Sequence, residues 1–174
     1  MPRRVVVLGA GSTGEAFLTA LAKLEPETEI TVVENELVGG ECSYWACIPS
    51  KTLLRPLEVV HRARLAPGAD KAVTEVDLAA LFGWRDFMAE KDDTSQAEWV
   101  EKQGAAVVRG VGLVTEPGLV TAAGRELPYD DLVIATGSLP SAPPVEGLDE
   151  ASHWGSREAT SASAVPESLV VVGG

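Results

Sequence analysis

The first 24 residues change hydrophobic period abruptly. RVVVL at Arg4–Leu8 is a continuous apolar run, glycines stand at positions 9, 11 and 14, and Phe17, Leu21 and Leu24 then recur at helical spacing. That pattern predicts a short buried strand, a glycine turn and an amphipathic helix. TEITVVE, ending at Glu34, reads as a second buried strand. Strand, helix and strand within about 30 residues make a parallel crossover unit, which is right-handed in nearly all folds. Further on, SKTLLRPLEVVHRARL predicts a helix bent or ended near Pro56, and GWRDFMAEKDDTSQAEWVEKQG a single longer helix ending at Gly104. In that longer helix Trp84, Phe87, Met88 and Trp99 read as packing positions and Glu90 to Asp93 as a solvated face. The period then shortens: AAVVRGVGLVTEPGLVTAAGRELPYDDLVIATGS predicts a buried strand, a meander with turns at Pro117-Gly118 and Ala123-Gly124, and a buried strand over Leu132 to Ala135. Residues 138–167 are rich in Pro, Ser, Ala and Glu and read as a connector with a short helix, and SLVVVGG as a further strand entering a glycine turn. The expected class is α/β, with a central parallel sheet and a small antiparallel β-meander.

Composition narrows the partners. A chain of 174 residues with 45% hydrophobic content can bury the core of one ordinary domain. It holds no run near the ~20 apolar residues of a membrane span. A net charge of −12, with no local cluster of Lys and Arg, repels a phosphate backbone, so nucleic acid and membrane are not expected partners. MPRRVVVLGAG begins like a secretory signal, but glycines 9, 11 and 14 and Glu15 interrupt the apolar run too early. A cytoplasmic location is the expectation, and there a lasting structural disulfide is uncommon.

Gly9-Ala10-Gly11-Ser12-Thr13-Gly14 matches G-x-G-x-x-G between an apolar strand and a helix. Glycine there permits a tight turn and close backbone approach, and the helix N-terminus faces a pyrophosphate. Glu34 lies twenty residues after Gly14, at the end of the second strand, where a carboxylate accepts from ribose hydroxyls and disfavours a 2′-phosphate. The pattern points to a dinucleotide rather than a plain strand-to-helix turn, and it leaves FAD and NAD both open.

Both cysteines of the chain, Cys42 and Cys47, fall within GGECSYWACIPSK at 39–51. Residues five apart on a regular helix rise about 7.5 Å, beyond the ~4.4–6.8 Å Cα separation of a disulfide, so the pair can bridge only across a turn or a distorted first helical turn. Closing so small a ring stabilises a fold by only about 2 kcal/mol, a weak reason to keep it as a staple. Pro49 suits a first helical position, which puts Cys47 just before a helix N-terminus with Lys51 one turn on, and both features favour thiolate. A zinc site lacks two further ligands, because His61 and His153 stand at no suitable spacing, and no metal is assigned. A redox pair is the reading that best fits, ahead of a structural bridge.

GGECSYWACIPSK resembles the redox-active signature of the pyridine nucleotide-disulfide oxidoreductases, the flavoenzymes that include dihydrolipoamide dehydrogenase, glutathione reductase and mercuric reductase. The fingerprint with Glu34, the cysteine motif, the meander followed by DDLVIATGSLP, and the late LVVVGG fall in that family's order. The resemblance implies a Rossmann-like FAD-binding domain over residues 1–140, a connector over 141–167, and at 168–174 the first strand of a truncated NAD(P)-binding domain. It implies FAD at Gly9, Gly11, Ser12, Thr13, Gly14, Glu34, Gly40, Thr136 and Gly137, with NAD(P)H as reductant in a full-length parent. Cys47 would be the flavin-side thiol, Cys42 the thiol that exchanges with a small disulfide or dithiol substrate, and Lys51 the lysine near the reactive edge of the flavin. Ser43, Tyr44, Trp45 and Ala46 depart from the smaller or more polar residues usual between the cysteines. The chain would be the N-terminal piece of a homodimeric enzyme and inactive alone. It shows no N-terminal metal-binding segment of the kind many mercuric reductases carry, which favours a dihydrolipoamide dehydrogenase-like activity. A mercuric reductase-like activity and a stand-alone dinucleotide-binding redox sensor are the alternatives.

Overall fold

The computed structural model describes residues 1–71, 75–148 and 150–173. Four strands, β1 (Arg4–Leu8), β2 (Glu29–Glu34), β3 (Ala105–Arg109) and β7 (Asp131–Ile134), form a parallel sheet in the order β3-β2-β1-β7. The register pairs Val7 with Val32 on one side and with Val133 on the other. Because side chains alternate across a strand, Val5 and Val7 enter one core layer and Val6 and Leu8 the other. A strand buried on both faces needs an unbroken apolar run, which is why RVVVL does not alternate.

The first layer is closed by α1 (Ser12–Leu24) and α5 (Thr94–Lys102), through Leu18, Phe17, Leu21, Val100 and Trp99. The second is closed by an antiparallel meander of β4 (Leu113–Glu116), β5 (Leu119–Ala122) and β6 (Arg125–Pro128), through Val120, Ala122 and Leu127. Its two turns fall at the expected Pro117-Gly118 and Ala123-Gly124, where Gly118, Ala123 and Gly124 have positive φ. Helices α2 (Gly40–Tyr44) and α3 (Cys47–Leu65) follow β2, α4 (Leu78–Met88) packs on α3, and α6 (Ser156–Ser161) lies in the connector.

Several expectations need correction. The helix at Pro56 does not end there: α3 continues to Leu65, losing one ladder bond while Glu58 pairs with Arg55 and Arg62 on its surface. The single long charged helix is two, α4 and α5, separated by Ala89 to Asp93. The Asp92 carboxylate accepts from the Thr94 amide at 2.9 Å and so starts α5, where unbroken helix had been expected. Trp99 packs on the core, whereas Trp84, Phe87 and Met88 are exposed on α4, as is Leu24 at the end of α1. The strand expected from Leu169 does not form among the described residues: Leu169 to Val172 are exposed and have no neighbouring strand to complete a ladder. Gly174, the second glycine of that turn, lies outside the described residues. Among the described residues, no helix is long and apolar enough to cross a membrane.

Candidate functional site

The carboxyl ends of β1, β2 and β7 open onto one cavity of about 430 Å³. Its wall includes Gly9, Gly11, Ser12, Thr13, Glu34, Gly40, Cys42, Thr136 and Gly137, residues that the sequence placed far apart. Gly14, Cys47 and Lys51 are not part of that wall.

The glycines divide into two kinds. Gly9 has φ +99°, and a Cβ on it would overlap the Ala135 carbonyl oxygen. A Cβ on Gly14 would overlap the Gly9 carbonyl oxygen, so this third glycine lets α1 lie close against the turn. Gly40, with φ +61°, brings its backbone against Gly11, and a Cβ there would fall 2.7 Å from the Gly11 Cα. Gly11 differs from all three: its φ of −78° is open to any residue, and its nearest neighbour for a Cβ is the Gly40 Cα at 3.8 Å. Nothing within the chain demands glycine at 11, but a side chain there would project into the cavity mouth. The α1 N-cap is Gly11, which has no side chain to satisfy the first-turn amides, so they are left for a ligand beside the positive end of the helix dipole. These features fit a dinucleotide pyrophosphate.

Glu34 is buried at the end of β2. Its Oε2 accepts from the Ala10 amide at 2.7 Å and its Oε1 from the Glu36 amide at 2.8 Å. The carboxylate thus holds the fingerprint loop to the loop after β2, and Glu34 also lines the cavity. Asp93 supports the same loop, accepting from the Val38 amide at 2.6 Å and pairing with Arg109. Burial pushes the Asp93 carboxyl up, but these two partners outweigh it and the net shift is downward. The solvated face expected at Glu90 to Asp93 holds for Glu90, Lys91 and Asp92, which are exposed, and fails at Asp93, which the break between α4 and α5 turns inward.

Cys42 sits in α2, and Cys47 is the first residue of α3, with Ala46 as N-cap and Pro49 two residues further on. Pro49 therefore occupies the third helical position, still in the first turn, where a missing N–H breaks no bond. The cysteines are free, and a hydrogen bond between their side chains is the main reason the Cys42 thiol is raised above its ordinary range. Burial and the charge on Cys47 push it further the same way, against the lowering pull of Lys51 and of a backbone bond from Cys47. Cys42 lies on the cavity wall.

Between the cysteines, the Tyr44 hydroxyl donates to the Val38 carbonyl at 2.9 Å, and burial pushes its pKa up to about 12. Trp45 is buried, with the Arg157 guanidinium carbon 4.0 Å from its ring centroid and the Lys91 ammonium 5.5 Å from it. Arg157 also lines the cavity and bonds both Glu36 and Glu41. No sequence pattern marks Arg157, Glu36 or Glu41: their chemistry arises from a connector helix folding back across the site.

The pyridine nucleotide-disulphide oxidoreductase family pattern matches residues 3–174. The chain belongs to that family. Among its relatives, a mercuric reductase of Bacillus cereus is 30% identical over 171 residues, covering 97% of this chain and 27% of its own length. A dihydrolipoyl dehydrogenase of Acholeplasma laidlawii is 29% identical over 180 residues, covering 98% of this chain and 52% of its own. The LpdA structure from Mycobacterium tuberculosis superposes with a TM-score of 0.66 at 26% identity, over 82% of this chain and 33% of that one. The flavoprotein disulfide reductase RclA from Escherichia coli, at 19% identity and a TM-score of 0.68, shares the fold over 90% of this chain and 33% of its own. The chain thus spans about a third of the mercuric reductases it matches and about half of the dihydrolipoyl dehydrogenase.

Proposed function

We propose that residues 1–140 bind FAD and carry the redox-active cysteine pair of a flavin-dependent pyridine nucleotide-disulfide oxidoreductase. Residues 141–167 form the connector and 168–174 enter the NAD(P)-binding part. The observation that carries this reading is the convergence on one cavity of an open Gly11, an uncapped α1 N-terminus, a strand-end Glu34 and the Cys42 thiol. The first-turn amides of α1 would hold the pyrophosphate, Glu34 the ribose hydroxyls, and Thr136 and Gly137 the approach from β7.

When bound, FAD supplies the relay that carries two electrons from NAD(P)H to the cysteine disulfide. The chain's own residues handle sulfur and protons. In the direction of disulfide reduction, Cys42 gives up its proton and attacks one sulfur of a small disulfide, forming a mixed disulfide and releasing one substrate thiol that takes up that proton. Cys47 then attacks the Cys42 sulfur, closing Cys42–Cys47 and releasing the second thiol, so two thiols are oxidised as one disulfide is reduced. Lys51 eases the first step by favouring the Cys42 thiolate. Oxidation of a small dithiol runs the same exchange backwards, and the dihydrolipoyl dehydrogenase relative supports that direction. The mercuric reductase relatives support a second reading, in which the same thiol pair takes a soft metal ion as substrate. The whole enzyme is proposed to act as a cytoplasmic homodimer.

The test is to hold the reduced chain in dithiothreitol buffers of graded potential, alkylate the free thiols and read the Cys42–Cys47 disulfide by mass spectrometry, with and without FAD. A reversible intramolecular disulfide and a binding-induced change in flavin fluorescence are expected. Cysteines that stay reduced across the range, or form only intermolecular links, would overturn the reading.

A further inference from the structure

We propose that Arg157 is a positioning residue for the redox turn, holding the segment between Cys42 and Cys47 from a helix outside the FAD-binding unit. The inference deepens the function proposed above and rests on the cysteines being a redox pair.

The turn from α2 to α3 has little holding it from within. The Trp45 and Ala46 amides both donate to the Glu41 carbonyl, at 3.0 and 2.7 Å, and the N-cap of α3 has no side-chain cap. Beside the Tyr44 bond to Val38 and the Lys91 contact on Trp45, helix α6 holds the turn from outside at three points. The Arg157 Nε donates to both Glu41 carboxylate oxygens, at 3.0 and 3.1 Å, and Glu41 lies in the same helix as Cys42. The Arg157 guanidinium stacks on Trp45, two residues before Cys47. The Thr160 hydroxyl donates to the Trp45 carbonyl at 2.7 Å. Arg157 reaches in the other direction as well, to Glu36 at 2.9 and 3.1 Å, joining the turn to the loop that follows β2.

The helix that carries Arg157 is itself anchored. Arg85, buried on α4, donates to the carbonyls of Thr160 and Ala162 at 2.7 and 2.9 Å. The chain of contacts therefore runs from α4 through α6 to the cysteine turn. Two carboxylates surround Arg157, so the trio carries a net charge of −1 and gives the thiols little positive potential. Its effect on the pair is mechanical: fixing Trp45 and Glu41 limits how far Cys42 and Cys47 can move apart. A planar guanidinium can pair two carboxylates and stack on an indole at once, which an ammonium cannot. Trp45, which departs from the family's usual small residues, is the surface on which Arg157 acts.

The experiment is the dithiol–disulfide equilibrium of Cys42 and Cys47 in dithiothreitol buffers at pH 7, in the full 174-residue chain. Loosening the turn lowers the effective concentration of one thiol at the other, so Arg157→Ala is expected to move the equilibrium about tenfold toward dithiol, equivalent to about 1.4 kcal/mol. Trp45→Ala moves it the same way, Arg157→Lys recovers part of the shift, and Arg62→Ala, on the exposed face of α3, leaves it unchanged. Arg85→Gln, which frees α6 without touching the turn, shifts it in the direction of Arg157→Ala. Far-UV circular dichroism establishes that each variant folds. A wild-type pair that forms no reversible disulfide overturns the redox reading and this inference together. A wild-type pair that cycles normally and is unmoved in both Arg157→Ala and Arg85→Gln overturns this inference alone.

Discussion

The Glu34 carboxylate and the Ala10 amide meet at 2.7 Å, so the acid proposed to hold the ribose also fixes the loop proposed to hold the pyrophosphate. Glu34→Gln keeps the shape but offers an amide N–H to one of two backbone N–H groups. Leaving one buried donor unpaired costs about 1–3 kcal/mol, and each kcal/mol lowers the melting midpoint of a domain this size by about 2–4 °C. Thermal melting of apo Glu34→Gln should show that loss before any ligand is added, and an unchanged midpoint would mean that Glu34 serves the ligand alone.

Gly40 and Gly11 touch backbone to backbone. Gly40→Ala places a Cβ in the left-handed region and 2.7 Å from the Gly11 Cα, so the redox turn must retreat from the fingerprint. Backbone strain of this kind costs about 1–3 kcal/mol. The variant should melt earlier and bind FAD more weakly, whereas Gly124→Ala, at an exposed meander turn with nothing within 4 Å, should melt earlier while binding FAD as wild type does.

The Cys42 thiol is raised above its ordinary range by its interaction with the Cys47 side chain and by burial. Its rate of alkylation by iodoacetamide, followed peptide by peptide in the reduced chain, should reach half its maximum above the ~8.5 of an ordinary thiol. Cys47→Ala removes both the hydrogen bond and the charge that raise it, so the half-point should move down. A half-point that stays put would place the cause in burial alone.

Asp93 gives acid its handle on the fold. Its folded-state pKa is depressed by Arg109 and the Val38 amide against the opposing effect of burial, so the stability it contributes is present above the unfolded value of about 3.9 and is lost as pH falls through the lower folded value. Denaturant titrations from pH 6 to pH 3 should show wild type losing stability toward the acid end. Asp93→Asn should be less stable at pH 6, with a shallower decline.

The site was legible where local backbone chemistry dictates residue type. Gly9, Gly14 and Gly40 are read from sequence because a Cβ at each would strike neighbouring backbone, and Val5 to Leu8 because both faces of β1 are buried. Asp93 and Arg157 were not, because their roles depend on where a helix break and a connector helix carry them, and an exposed acid or base has the same sequence signature. The α4–α5 break hid behind good helix formers on either side, and only the Asp92 carboxylate on the Thr94 amide shows where the second helix starts. The late LVVV run had strand propensity, but a strand needs a neighbour, and the described residues offer it none.

The central claim is that the cavity above β1 and β2 holds a dinucleotide whose backbone passes over Gly11. Gly11→Val tests it most directly, because φ at Gly11 suits any residue and a Cβ meets nothing nearer than 3.8 Å, so the variant should fold and melt close to wild type. Titration of wild type with FAD, followed by flavin fluorescence or calorimetry, should show saturable binding, and Gly11→Val should weaken it at least tenfold, or by about 1.4 kcal/mol or more. A folded Gly11→Val chain that binds FAD as tightly as wild type would contradict the account.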